Sequence, residues 1–336
     1  MAAATAMLAA CTQTDFVNEV PEAPQTIGFE NYVGKSTRAE ITDEAALSTE
    51  GGFVVWGYKT ATEGLTWDGT KTITTIFNAV NVYGEDENWI YANKKYWDKA
   101  STYNFYAVAP YDPESGIYSV TDAATGFVTI TGVQSALASG SDDFMVDRDG
   151  AKDVSGNYTD IHEKVNFQFN HIMAKVSLEL ACGGINTGDQ ITVTSLTMTG
   201  WNNNDGKFVQ SLTTTPNVTN DISEWSETAP GTNGSATFTG SYVLTPTGDN
   251  VTVGSYIMVP QTVANLTFTL NYTITYAGGG TEDFNAHSGK LTAQTWGTDS
   301  HTTYTITVGP APIEFEVESV AGFTNGVTPN PEVSIE

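Results

Sequence analysis

Two short segments near the start of the chain carry residue types that can do chemistry. The first is Leu8-Ala9-Ala10-Cys11, which follows an apolar run of Ala2, Ala3, Ala4, Ala6 and Met7. A thiol set directly after small residues and an apolar stretch is the pattern at which a bacterial lipoprotein is cut and acylated. The segment therefore reads as a lipobox: residues 1–10 form the signal peptide, and Cys11 carries the acyl chains. No Lys or Arg precedes Cys11, so the basic region of such a signal is missing, and the reading takes the start as set downstream of the true one. Multiple acyl chains hold a protein stably to a membrane where a single chain does not, so this anchor needs no transmembrane helix. No later apolar run approaches the roughly 18 residues that a spanning helix requires. The alternative is an Ala-rich terminus with an incidental cysteine.

The second segment is Lys35-Ser36-Thr37-Arg38-Ala39. The chain has only two arginines, Arg38 and Arg148. Arg148 lies between Asp147 and Asp149, whose charge deters trypsin-like enzymes. Arg38 lies among small and polar residues, the profile of an accessible protease site.

The remaining reactive residues form no catalytic constellation. His162-Glu163 lacks a second His at helical spacing. His171 falls in a strand-like run and reads as a hydrogen-bonded core residue. Asp147-x-Asp149-Gly150-x-x-Asp153 has its Gly misplaced for an EF-hand loop and reads as a solvated acidic turn. Cys182 ends the alternation Val176, Leu178, Leu180 and reads as buried packing at a strand end. Trp89, Trp97, Trp201, Trp225 and Trp296 read as core or strand-end packing, with sugar stacking as the alternative for each. No enzymatic activity, cofactor or metal is expected. The net charge of −26 and the pI near 4.2 exclude a nucleic-acid partner, because phosphate contacts need a basic footprint.

The elements that position these residues are strands. From Leu266 to Tyr276, apolar residues occupy every even position and polar ones every odd position. That is a strand with one face in a core and one in water. Residues 191–194 and 303–308 alternate in the same way. Segments 53–58, 73–77, 89–92, 103–109 and 127–133 are further strands. Helical signals are weak: Asp43–Leu47 and Val133–Ala138 suffice for a turn or two. Turn residues such as Gly183-Gly184, Asn204-Asp205-Gly206 and Gly278-Gly279-Gly280 separate the runs. This pattern predicts an all-β protein of antiparallel sheets packed as sandwiches.

A length of 336 residues suits two domains. The expected organisation is a tether with a first strand over 11–38, an N-terminal sandwich over 39–165 and a C-terminal sandwich over 166–336. Phe167 to Val176 would open the second domain. Alternatively it closes the first, which moves the boundary to about residue 205. Within 25–33, Ile27, Phe29 and Val33 occupy alternate positions just upstream of Arg38. At the other end, Ile313-Glu-Phe315-Glu-Val317-Glu alternates apolar with acidic residues, and the apolar series continues through Val320 and Phe323.

Several segments, taken in order, resemble the fimbrillin family of Bacteroidales, the pilins of lipoprotein-derived (type V) pili. They are the lipobox, Thr37-Arg38-Ala39, Trp56-Gly57-Tyr58, Tyr103-Asn104-Phe105-Tyr106-Ala107-Val108-Ala109-Pro110, Asp143-Phe144-Met145, Phe169-x-His171 through Ala174-Lys175-Val176, and Met258-Val259-Pro260-Gln261. The resemblance spans nearly the whole chain and rests on the ordered set. It implies two tandem transthyretin-like β-sandwich domains and a structural subunit of a cell-surface fimbria that supports adhesion. It also implies export as a lipoprotein and transient lipid anchoring in the outer membrane. An arginine-specific protease then cuts after Arg38 and frees the first strand, and the C-terminal strand of another copy, or of a related fimbrillin, fills the vacated groove.

On that scheme the removable strand carries Ile27, Phe29 and Val33, and the donor strand carries Ile313, Phe315, Val317, Val320 and Phe323. The filament would then be extracellular, with host or bacterial surface ligands as further partners. Two alternatives stay open. Residues 313–323 could be an ordinary last strand of the second sandwich. The protein could also be a tip adhesin, or a monomeric surface lipoprotein that binds glycans.

Overall fold

The computed structural model describes residues 25–33, 44–61, 72–85, 88–98, 101–111, 118–122, 127–133, 143–147, 152–154, 164–202, 206–211, 222–227 and 233–321. The chain opens with β1 (Phe29–Val33) and one short helix, α1 (Glu44–Thr49). There follow β2 (Phe53–Ala61), β3 (Ile73–Glu85), β4 (Asn88–Ile90), β5 (Ser101–Ala109), β6 (Tyr118–Asp122) and β7 (Phe127–Val133). Next come β8 (Met145–Asp147), β9 (Lys152–Val154), β10 (Val165–His171), β11 (Ala174–Cys182), β12 (Gln190–Asn202), β13 (Gly206–Ser211) and β14 (Ile222–Glu227). The last six are β15 (Asn233–Leu244), β16 (Val251–Met258), β17 (Gln261–Thr275), β18 (Thr281–Trp296), β19 (Ser300–Val308) and β20 (Glu314–Ala321). The all-β expectation holds. The turn expected at Asp43–Leu47 is α1, whereas Val133 ends β7 and the rest of the second weak helical signal lies outside the described residues.

The first sheet has the order β2-β3-β4-β1-β10-β8-β5-β9, and β2 also pairs with β5. Seven strands therefore close into a ring, and β9 hangs from β5. The ring differs from the open antiparallel sandwich read from the alternation. The reason lies in β2, which takes β3 on one edge and β5 on the other, so the sheet curls onto itself and removes its free edges. A second departure is direction: β1 runs parallel to β10 along its whole length. Inside the ring lie Ile27, Phe29, Phe53, Phe77, Phe105, Phe167 and Phe169.

The second core sits between two four-stranded sheets, β16-β11-β19-β20 and β15-β12-β17-β18. This half is a β-sandwich. In β17, Leu266, Phe268, Leu270, Tyr272 and Ile274 all face the core, as the alternation predicts. β12 shows why its own alternation breaks. Ile191 and Val193 point inward, but so do Leu196 and Met198, because the register shifts between Val193 and Ser195. A bulge changes which parity faces the core. Asn271 on β17 faces this irregularity and bridges two neighbours: its amide donates to Ser195 Oγ of β12 at 2.8 Å, and its side-chain oxygen accepts from the Ala286 N–H of β18 at 2.8 Å.

Within the Phe167–Val176 run, residues 167–171 pack in the ring as part of β10, and β11 begins the second core at Ala174. The change of core occurs at Ile172-Met173. Both residues are buried in a third cluster with Trp56, Tyr106, Phe144, Ile257 and Val259. A fourth sheet, β14-β13-β7-β6, pairs residues 127–133 with residues 206–211 and so ties the two halves together a second time. Phe208 on β13 reaches the shared cluster.

Two outcomes test this packing. Gly200 has φ +110°, and a Cβ there would lie 2.0 Å from the Asn265 carbonyl oxygen. Gly200→Ala should therefore lower stability by at least about 1–3 kcal/mol, read as a shift in the urea midpoint. The second outcome concerns alkaline pH. The Tyr272 hydroxyl donates to the Gly309 carbonyl at 2.6 Å. Burial, with a smaller contribution from Glu282, pushes its pKa up to about 12, whereas an unfolded tyrosine titrates near about 10. The folded state thus holds this proton more tightly. The contribution is fully present below about pH 10 and is lost as pH rises through about 12. In thermal melts above pH 10, Tyr272→Phe should lose stability less steeply than the wild type.

Candidate functional site

The residues singled out in the sequence gather at the two ends of the described chain. Cys11, Arg38 and Ala39 lie outside the described residues, as does Phe323. Ile27 and Phe29 are fully buried in the ring, each 1% exposed. Val33 ends β1, and its side chain lies outside the described set. Ile313 is 1% exposed, Val317 is buried, and Phe315 is half-buried against the second core. Val320 pairs with His301 in β20, with its side chain outside the described set.

The first site is the slot that β1 fills between β4 and β10. Residues 25–27 first run beside residues 95–97. The Ile27 N–H donates to the Lys95 carbonyl at 2.8 Å, and the Trp97 N–H donates to the Gln25 carbonyl at 2.9 Å. From Phe29 onward the strand pairs with β10, Phe29 facing Val165 and Val33 facing Phe169. On its other side it meets β4 at one position, Phe29 opposite Trp89. A pocket of about 390 Å³ lies between Thr26–Gly28 and Trp89–Tyr91.

Aromatic rings hold the strand in its slot. The Phe29 ring lies edge-on to Phe77 at 5.3 Å, to Tyr91 at 5.5 Å and to Phe105 at 6.1 Å, and it stacks on Phe167 at 5.9 Å. Such pairs add to the area they bury. Tyr91 is also a clasp. Its hydroxyl donates to the Ile27 carbonyl at 2.7 Å and accepts from the Lys95 N–H at 3.1 Å. Burial raises its pKa, which keeps that hydroxyl a donor. On the outer face Glu30 pairs with Lys164 at 3.0 Å. Both side chains are about half exposed, so this pair adds little. Tyr91, Phe77, Phe105 and Phe167 are the residues that sequence reasoning missed as walls of the slot: alternation marks them as buried without saying what they bury against.

The second site is β20. It is an end strand of its sheet and pairs antiparallel with β19 from Thr307↔Glu314 to Ser300↔Ala321. Phe315 packs on Phe268 at 5.3 Å. Gly289 makes room for it, since a Cβ there would lie 2.6 Å from the Phe315 ring. Glu314 and Glu316 face water. The predicted apolar-in, acid-out alternation is therefore present, and in the single subunit it packs into the chain's own sandwich.

Other expectations resolve in the cores. His171 Nδ1 lies 2.9 Å from Asp143 Oδ1, with both side chains buried. Trp97, Trp201 and Trp296 are buried and Trp89 packs against the ring core, while the Trp225 side chain lies outside the described set. Asp147 corrects the solvated-turn reading: it is 1% exposed, because its backbone pairs with Phe169 on β10 and draws the residue into the sheet. Cys182 ends β11 as expected but is half-buried, and burial pushes its thiol up. Among the described residues, no group of three or more His, Cys, Asp or Glu is arranged to hold a metal ion. Among the same residues, no helix is long and apolar enough to cross a membrane.

Removing the Phe29 ring tests the slot. Phe29→Ala should cost about 3–5 kcal/mol in chemical denaturation. It should also speed amide exchange in β10 more than in β17, because β10 borders the emptied position and β17 belongs to the other core.

The fimbrillin-like family model matches residues 37–328. The fimbrium subunit Fim1C of Phocaeicola vulgatus is 29% identical over 221 residues, which make up 60% of this chain and 54% of that protein. This chain therefore spans about half the length of that relative. The crystal structure of a fimbrial protein from Bacteroides vulgatus superposes with a TM-score of 0.65 at 18% identity, covering 89% of this chain and 100% of that one. At that identity the likeness is one of fold. With the family model running over most of the sequence, the chain belongs to the fimbrillin-like family.

Proposed function

We propose that this protein is a structural subunit of an extracellular fimbria, exported as a lipoprotein on Cys11 and matured by an arginine-specific protease at Arg38–Ala39. Copies then join by strand exchange, and the filament supports adhesion to host or bacterial surfaces. On this reading the two cores are two tandem β-domains of the transthyretin-like kind, and the outer-membrane anchor is transient. One observation carries the proposal: β1, the strand just upstream of Arg38, is an interior member of the ring rather than an appendage.

A cut after Arg38 would separate β1 from the rest of the chain. Its departure would bare the edge of β10 and the rings of Phe77, Phe105 and Phe167. An open sheet edge beside exposed apolar rings is a costly state and a template for another strand. Filling it from a second copy is β-strand addition. Such a contact joins unlike surfaces head to tail and does not close, so it grows filaments.

The home packing of β20 favours a second reading, a self-contained monomeric surface protein that uses exposed aromatics such as Tyr96 to bind glycans. One experiment separates the two. Precursor cut by an arginine-specific protease should give a ladder in non-boiled gel electrophoresis. Arg38→Ala should abolish the ladder, and so should truncation before Ile313. A ladder from Arg38→Ala as strong as that of the wild type would sink the cleavage mechanism. A cut chain that stays monomeric and binds saccharide by calorimetry would favour the monomer.

A further inference from the structure

We propose that β20 of a second copy enters the vacated slot as a register-matched copy of β1, with Ile313 in the place of Ile27, Phe315 in the place of Phe29, and the same polarity, parallel to β10. This rests on the strand-exchange reading above and adds to it which residues meet and in which direction.

The two strands share a sequence. Ile27-Gly28-Phe29-Glu30 and Ile313-Glu314-Phe315-Glu316 both read Ile-x-Phe-Glu. In β1 the Ile and Phe face inward and Glu30 faces out. In β20 the same three types face the same ways at home. The shared order sets the polarity. With Phe315 at the Phe29 position, parallel entry places isoleucine in the Ile27 niche, whereas reversed entry places the smaller Val317 there. Beyond the motif, Val317 aligns with Asn31 and Ser319 with Val33, so one position gains an apolar side chain and the next loses one.

The slot also offers β20 more than its home does. At home Phe315 is half-buried and the strand pairs on one side, with β19. In the slot Phe29 is 1% exposed and is paired toward both β10 and β4. The outer face matches as well. A Cβ at Gly28 would lie 3.0 Å from Lys164 Cγ, and Glu30 already pairs with the Lys164 ammonium. Glu314 and Glu316 would then flank Lys164 together. The contact is a short movement of a flexible lysine stem.

Cysteine pairs on the outer face read the register directly. Glu30 and Asn166 are exposed register partners, so Glu316 would face Asn166 in parallel entry, and Glu314 would face it in reversed entry. The experiment uses the full chain with Cys11→Ser and Cys182→Ser, cut by an arginine-specific protease, assembled, oxidised and run without reductant. Glu30→Cys with Asn166→Cys in the uncut chain is the geometric control and should close an intrachain disulfide. Asn166→Cys with Glu316→Cys should give a disulfide-linked ladder only after cleavage, at least tenfold above Asn166→Cys with Glu314→Cys. A stronger ladder from the Glu314 pair overturns the polarity. A non-boiled ladder with neither pair crosslinked overturns the register while leaving strand exchange intact. If the cysteine-free chain forms no ladder after cleavage, strand exchange itself fails, and the register with it.

Discussion

The packing of one phenylalanine closes the ring. Phe29 brings a strand from the start of the chain against four rings contributed by β3, β5, β10 and the segment after β4. Without it, β4 and β10 have no common neighbour, and the seven-strand circuit opens between them. The hydrogen bonds along β1 are lopsided, continuous toward β10 and sparse toward β4. Side-chain packing, more than the backbone ladder, therefore holds the β4 side of this seam. The Tyr91 hydroxyl reinforces it where the ladder is thinnest.

That arrangement connects fold and function through position in the chain. The strand that completes the first core is a short segment at the chain's beginning and is followed closely by the Lys35–Ala39 stretch. The last described strand, β20, has the opposite character. It lies at the margin of its sheet, pairs once and carries an alternation like that of β1. A chain with an interior strand at one end and a marginal strand of matching pattern at the other has, on the proposed reading, the parts for open-ended addition.

Much of this was legible in the residues. The Leu266–Tyr276 alternation, the strands at 53–58 and 103–109, and the inward Ile27 and Phe29 follow from period two alone, because a pleat sends alternate side chains to opposite faces. Partner and direction do not follow from it. Nothing in Phe29–Val33 says that it runs parallel to β10, since the alternation of a strand is the same in either direction. Phe167 and Phe169 could line either core, and only the pairing with β1 and β8 assigns them to the ring. The bulge between Val193 and Ser195 is hidden for a related reason: two short alternations of opposite parity look like two elements until their shared pairing with β17 shows one strand. Asp147 is the converse case, a carboxylate whose type predicts solvent and whose backbone pairing draws it in.

The fourth sheet has a mechanical meaning. Two bodies joined by one short linker, here Ile172-Met173, tend to swing about it. The β7–β13 ladder adds a separate tie at a distance along the chain, with Phe208 seated in the shared cluster beneath it. Two ties and a packed wedge behave as a braced frame in place of a hinge. A pull along such a molecule is carried by both halves together, as rope strands share a load, and bending one half requires shearing a sheet built from both.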